Sequence, residues 1–391
     1  MKTSRVPPRR AHRYGHGRIE IRPMRGRERT ADLIDTYFNA YNAARVREIC
    51  RLLTGKVLKP RVTVGLSLSG AMIPAGLGSA LIPLIERGFI DYIVSTGANL
   101  YHDTHFGLGF DLFKSTPFLD DVTLYNDRVI RIYDITLDLD TLLESDRFVY
   151  LAIDRPEFQM RMGTSELHYK LGALVDHLEK KNNRRNTTLL AAAYRAQVPI
   201  YTSSPGDSTI GLNMAARALV GGSLEIDVSR DVNESTALVY EAKRRGLSAV
   251  IILGGGSPKN FILQTEPQLQ EVLGLDVKGH DFFVQVTDAR PDTGGLSGAT
   301  PAEAVSWGKV DPKRLPDSVV CYGDSAMVFP LIASYVLTRC RKRPLKRLYA
   351  RRDALMDNLR EVYRKRLMRG HRGARGVSAS PRHQPSTASR R

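Results

Sequence analysis

The α/β architecture of this chain is written most plainly in "SAVIILGGGSPKN", residues 248–260. Its first half is a continuous apolar run and not an alternating one, so a strand made of it is covered on both faces, as in a parallel sheet flanked by helices. Three glycines end the run and a helical stretch follows. The pattern recurs in "RVTVGLSLSG" (61–70), "DYIVSTGAN" (91–99), "FVYLAI" (148–153), "VPIYTSSPGD" (198–207), "FFVQVTDA" (282–289) and "SVVCYGDS" (318–325). Together these runs predict a doubly wound α/β body, a mostly parallel sheet with helices on both faces (Rossmann-like), over about residues 58–338.

What flanks this body reads differently. Residues 30–57 carry helical periodicity, with Leu33, Tyr37 and Tyr41 on one row and Ile34 and Phe38 on the next. Thr30 is the expected N-cap and Gly55 the expected stop. Residues 1–29 form a basic N-terminal extension. From residue 339 to 391 the pattern predicts a basic helix after Pro344 and a disordered, low-complexity tail. "KKNNRRN" (180–186) reads as a surface loop within the body.

The net charge of +17 resides at the ends: +8 on residues 1–29, +15 on 339–391, and −6 on the segment between. An acidic body with basic ends points away from a dedicated nucleic-acid domain and toward weak, nonspecific nucleic-acid contact through the tails. No apolar run reaches the roughly 18–20 residues of a membrane span, so no membrane partner is expected. The N-terminus lacks the apolar core of a secretory signal, and lacks the amphipathic pattern of an organelle transit peptide. The three cysteines, Cys50, Cys321 and Cys340, are far apart and without metal spacing, which fits a cytoplasmic protein.

In open α/β sheets, ligands bind beyond the carboxyl ends of the strands. The punctuation of this chain falls there. "SGAMIPAGLGSA" (69–80) and "LGGGSPKN" (253–260) each follow a strand, and their glycines allow backbone amides to approach a pyrophosphate or simply make tight turns. "PGDST" (205–209) and "YGDSA" (322–326) place an aspartate where it caps a helix or accepts from a ribose. In "YHDTH" (101–105), His102, Asp103 and His105 lie close together, but no further ligand cluster accompanies them and no metal is expected.

"EAVSWGKV" (303–310) holds the only tryptophan, Trp307, two residues before Lys309. A free lysine has about four in ten thousand of its amines neutral at pH 7. Imine chemistry needs that fraction raised by an apolar wall or a neighbouring cation. Trp307 supplies such a wall, or stacks on a cationic substrate. The pair is equally compatible with a core aromatic beside a solvated lysine.

The order and wording of these loops resemble the deoxyhypusine synthase family, most closely its bacterial synthase-like branch, which is related to homospermidine synthases. The motifs are "SGAMIPAGLGS", "VSTGANLYHD", "SSPGDSTIGLN", "ILGGGSPKN", "GGLSGATPAEAVSWGKV" and "YGDSAMVFP". The resemblance implies NAD-dependent transfer of an aminobutyl-type group from a polyamine, with Lys309 as the covalent nucleophile. It places Trp307, Glu303, Asp292, Asn260 and Ser297 about the substrate. Gly70, Ala71, Ser95, Thr96, Gly97, Asp207, Asp288, Asp324 and Ser325 fall about the NAD. It also implies a homotetramer and small polyamine substrates.

The chain departs from the synthases at charged positions. Tyr101 and His102 stand where two acidic residues are expected, Asn260 where a histidine is, and Leu212 and Leu296 where carboxylates are. Fewer carboxylates hold a polycation less firmly. Asp288, Asp292 and Glu303 remain as candidate amine partners, and the acceptor is expected to be a small amine in preference to a protein lysine. The competing reading is a catalytically inactive scaffold that binds RNA or a partner through its basic ends.

Overall fold

The computed structural model describes residues 18–184 and 186–375. The expected tail from residue 376 and the first seventeen residues lie outside the described residues. Six strands form the principal sheet: β1 (Val62–Leu68), β2 (Tyr92–Ser95), β3 (Ile200–Thr202), β4 (Leu247–Leu253), β5 (Phe282–Thr287) and β6 (Ser318–Tyr322). They lie in the order β3-β2-β1-β4-β5-β6, and every neighbouring pair is parallel. The order turns back between β1 and β4, the point where doubly wound sheets open a crevice at their carboxyl ends.

Both faces of the sheet are covered, as the unbroken apolar runs require. In β4, Ala249, Ile251 and Leu253 join one core, while Val250 and Ile252 join the other. Phe282, Val284 and Val286 of β5 likewise face away from Phe283. Gly65 in β1 has a packing reason: a Cβ there would come within 2.3 Å of the Tyr92 ring on the adjacent strand.

One expected strand is a helix. "FVYLAI" ends the helix Leu139–Ile153, whose buried residues Thr141, Ser145, Val149 and Ala152 recur at helical spacing. The short apolar run concealed a longer period. A three-stranded antiparallel sheet built from Phe113–Lys114, Val129–Ile132 and Ile135–Asp138 was not foreseen.

The N-terminal segment is two helices, Thr30–Tyr37 and Tyr41–Leu52, not one. Phe38 (ψ 72°) leaves the helical region and Tyr41 enters the second helix at φ 53°. Thr30 is the first helical residue, with Arg29 in the cap position. Gly55 does not stop the helix, because a π turn over Leu53–Val57 carries through it.

The basic segment after residue 339 packs on the body through Leu359. Leu348, Leu355 and Leu359, from the helix Leu348–Arg375, join the core to which the helices Val228–Arg245 and Gly256–Pro267 contribute. Ahead of them, the buried Arg343 guanidinium donates to the carbonyls of Lys59 (3.0 Å), Val62 (2.8 Å) and Gly88 and to the Asp91 carboxylate (2.6 Å). Tyr349 stacks on Tyr169 at 3.6 Å between ring centroids. The helix Leu348–Arg375 packs on the outside of Val228–Arg245, and the residues before it close the amino-terminal end of β1.

Candidate active site

The turn that carries Lys309 is built from local signals. Thr300 caps the short helix Pro301–Ser306, accepting from the Glu303 amide at 3.2 Å, with Pro301 in the first turn. The helix closes in a Schellman arrangement: the Lys309 N–H reaches the Ala304 carbonyl at 2.9 Å and the Gly308 N–H reaches the Val305 carbonyl at 3.0 Å. Gly308 is required at φ 65°, and a Cβ on it would meet Gln270 Oε1 at 2.7 Å. The Lys309 carbonyl then accepts from the His280 N–H at 2.9 Å, and Val310 bridges to His280. The lysine backbone is thus fixed on both sides.

Glu303 and Trp307 stand four residues apart, on one face of that helix. Together with Lys259, Asn260, Leu296 and Lys309 they line a pocket of about 270 Å³. Lys309 Nζ donates to Asn260 Oδ1 at 3.2 Å and lies 5.7 Å from the centroid of the Trp307 ring, within cation–π range. Trp307 is 59% exposed, so it is a wall of this pocket and not a core residue. Burial holds the Lys309 ammonium below the ordinary lysine range, while Glu303 and Glu271 act in the opposite direction.

Lys259 was not singled out as a functional residue by sequence reasoning. It is 3% exposed, and all three of its donors are used: Gln285 Oε1 at 3.0 Å, the Ser297 carbonyl at 3.1 Å and the Ala299 carbonyl at 2.7 Å. Burial lowers its pKa to about 8; Glu303 opposes that shift and Lys309 adds to it. Gln285 in β5 donates in turn to the carbonyls of Gly254 (2.9 Å) and Ser297 (2.8 Å). Lys259 and Gln285 therefore moor the 296–300 loop to the triple-glycine turn, and they place a second cation beside Lys309. Its only sequence signal is a lysine in the first turn of a glycine-opened helix.

The strand-end loops meet over the β1–β4 crevice. Ser69 Oγ donates to the Leu253 carbonyl (2.7 Å) and accepts from the Gly255 N–H (2.8 Å). Ser297 Oγ accepts from the Gly256 N–H at 2.9 Å, so its hydroxyl serves this joint. Ser325 Oγ accepts from the Gly254 N–H and donates to the Val286 carbonyl, both at 3.1 Å. Asp324 caps the helix Ser325–Arg339.

Thr96 Oγ1 donates to the Gly70 carbonyl at 2.6 Å, and the Ser95 hydroxyl donates to the Thr96 carbonyl. Asn99, unnoticed in the sequence and fully buried, accepts from the amides of Met72 (2.8 Å) and Ile73 (3.1 Å). It holds a turn-rich loop over residues 69–77, and the helix expected to open directly after β1 begins only at Gly78. Gly97 is so close to the 205–209 loop that a Cβ would lie 2.3 Å from Ser208 Oγ. Gly70 and Gly256, at φ 63° and 57°, face open space, with nothing within 4 Å of an added Cβ. Such exposed backbone at a switch point fits a dinucleotide pyrophosphate. Asp207 and Asp288 are exposed and make no side-chain hydrogen bond or ion pair among the described residues, as does Ala71 on the same rim lack any side-chain polar group.

The remaining candidates lie elsewhere. Asp292 is paired with Arg290 (2.5 and 3.0 Å) outside the Lys309 pocket. Tyr101 donates to Asp146 at 2.5 Å, and His102 Nδ1 lies 3.0 Å from His105 Nε2. Asp103 accepts from the amides of Leu189 and Leu190, both at 2.8 Å. Among the described residues no three His, Cys, Asp or Glu side chains come together to hold a metal. No described helix is long and apolar enough to cross a membrane.

Comparison with known proteins agrees with this architecture. The family model for deoxyhypusine synthase matches residues 32–336. A deoxyhypusine synthase-like protein of Nostoc punctiforme is 59% identical over 348 residues, covering 88% of this chain and 89% of that protein. A probable deoxyhypusine synthase 2 of Methanosarcina acetivorans is 35% identical over 301 residues, covering 75% and 82%. A solved structure from Entamoeba histolytica, provisionally named a deoxyhypusine synthase, has a TM-score of 0.51 at 17% identity, covering 80% of this chain and 94% of that one. That last likeness is one of fold.

Proposed function

Because this chain belongs to the deoxyhypusine synthase family, a family of transferases, we propose that it transfers an alkyl-amine unit of aminobutyl type from a polyamine to an acceptor amine through an imine on Lys309. The observation that carries this reading is the half-buried Lys309 amine, set between Asn260 and the Trp307 ring beside Glu303. A bound NAD supplies the two-electron oxidation of the donor C–N bond and the later re-reduction. The rim formed by Gly70, Ala71, Ser95, Thr96, Gly97, Asp207, Asp288, Asp324 and Ser325 would hold it.

The chain's own residues do the rest. Burial keeps part of Lys309 neutral and nucleophilic. Its nitrogen adds to the donor's imine carbon, and the departing amine leaves with the protons. Glu303 binds the ammonium end of the donor, Trp307 covers its alkyl chain, and Asn260 directs Nζ. The acceptor in this reading is a small amine in preference to a protein lysine. We also propose a homotetramer, which the exposed Leu212, Leu219 and Met327 support. Cytoplasmic residence is supported by three free cysteines. Weak, nonspecific nucleic-acid contact is supported by the exposed Arg364, Lys365 and Arg366.

The test is borohydride trapping. The protein is incubated with NAD and, separately, 1,4-diaminobutane, spermidine, homospermidine or agmatine, then reduced and mapped by mass spectrometry. A stable adduct on Lys309 that is lost in Lys309→Arg is expected, because guanidinium is never a free nucleophile at this pH. No adduct with any amine, in a protein that is folded and binds NAD, would leave the scaffold reading in its place.

A further inference from the structure

A second pocket, of about 510 Å³, adjoins the first. Its polar lining includes Ser235 and Thr236 from the helix Val228–Arg245, and Gln268 and Glu271 from the turn after the helix Gly256–Pro267. Asn260 and Gln264, one helical turn apart, line both pockets. The residue that holds Lys309 Nζ is thus the common wall.

A further observation that marks this space as a ligand site is the distribution of carboxylates. Glu303 lines the pocket against Trp307, Glu271 lines the second, and both act on the charge of Lys309.

We propose that the two pockets serve the two amines of the transfer separately, the smaller one holding the donor's alkyl unit and the larger one receiving an acceptor diamine whose far ammonium pairs with Glu271. This rests on the amine-transfer reading above. While the alkyl unit is bonded to Lys309, it occupies the Trp307 pocket, so the entering amine needs another approach to the imine carbon. The space across Asn260 provides it. In the discharge step the acceptor nitrogen bonds to the imine carbon and the Lys309 Nζ–carbon bond breaks. Both protons of the acceptor –NH2 end on Nζ, and no atom changes oxidation state. One end of a diamine must be neutral to attack, while the other stays protonated near pH 7. Glu271 gives that second charge a partner.

The experiment titrates the full-length protein with 1,4-diaminobutane by calorimetry, with butylamine as the singly charged control. Two diamine binding events per chain are expected. Glu271→Gln should weaken one of them about tenfold, and Glu303→Gln the other. Butylamine binding should change less than twofold in Glu271→Gln. A single binding event in the unmodified protein, or equal weakening of both events by Glu271→Gln, overturns the assignment. Two events, each lost with its own carboxylate, uphold it even where no adduct traps on Lys309; that combination defeats only the transfer chemistry.

Discussion

Lys309 Nζ donates to Asn260 Oδ1 at 3.2 Å, across 49 residues of sequence. An amide oxygen orients the amine but cannot take up its proton. The neutral fraction of Lys309 is therefore set by its surroundings: burial raises that fraction, while Glu303 and Glu271 reduce it.

The sign of the pH dependence follows. Labelling of Lys309 by butyraldehyde and borohydride needs the free amine, so its rate should rise as pH rises through the lowered pKa and then level off. In Glu303→Gln, a charge that favours the ammonium is removed, and the rising limb should move to lower pH. Mass-spectrometric labelling profiles of the two proteins check this. An unmoved limb, or one displaced to higher pH, would show that Glu303 does not act on Lys309.

Lys259 should be a stability residue as well as an electrostatic one. Lys259→Met removes the donor for three acceptors, Gln285 Oε1 and the carbonyls of Ser297 and Ala299. Breaking a buried, charge-assisted set of this kind costs about 3 kcal/mol. Urea denaturation reads the loss directly. A change within about 0.5 kcal/mol, the range of ordinary surface substitutions, would mean that water replaces the ammonium without strain.

Gly97→Ala should separate dinucleotide binding from the lysine pocket. The added Cβ would lie 2.3 Å from Ser208 Oγ. That hydroxyl caps the helix Thr209–Ala218 by accepting from Gly211, so it cannot turn away without losing the cap. The loops over the crevice must part. NAD affinity by calorimetry should fall at least about tenfold, while butyraldehyde labelling of Lys309 persists. Undiminished NAD binding would place the dinucleotide elsewhere.

A chain ended after residue 345 should not fold stably. It lacks Lys346, which donates to the Val62 carbonyl and Thr63 Oγ1, both at 2.8 Å, and it lacks the buried Leu348, Leu355 and Leu359. Burial of each leucine contributes about 1.5–3 kcal/mol, so the sum rivals the roughly 5–15 kcal/mol of a typical domain. Within the intact chain, Asp91→Ala should cost about 3–5 kcal/mol by leaving the Arg343 guanidinium unpaired. Thermal unfolding of both variants checks this, and a truncated chain with an unchanged Tm would contradict the packing described.

Much of the architecture was legible because parallel strands write themselves locally. Six of the seven apolar runs are strands of the principal sheet, since burial on both faces demands continuous apolar sequence. "FVYLAI" misled because the helical period to which it belongs starts at Leu139, outside the run. The Lys309 turn was also local: Thr300, Pro301 and Gly308 specify cap, first turn and Schellman stop within ten residues.

The sheet, its glycine-rich strand ends and the setting of Glu303, Trp307 and Lys309 on one short helix and its closing turn follow from local sequence. These depend on backbone preferences and on spacing within a few residues. Long-range packing alone brings Asn260 to Lys309, makes Lys259 a moored and buried cation, and lets Asn99 organise the loop after β1. It likewise brings the basic segment following residue 339 against Val228–Arg245 and the start of β1. The physical reason is common to all four. Whether a polar or charged side chain is solvated or buried depends on which partners arrive from distant segments, and local sequence carries no record of their arrival.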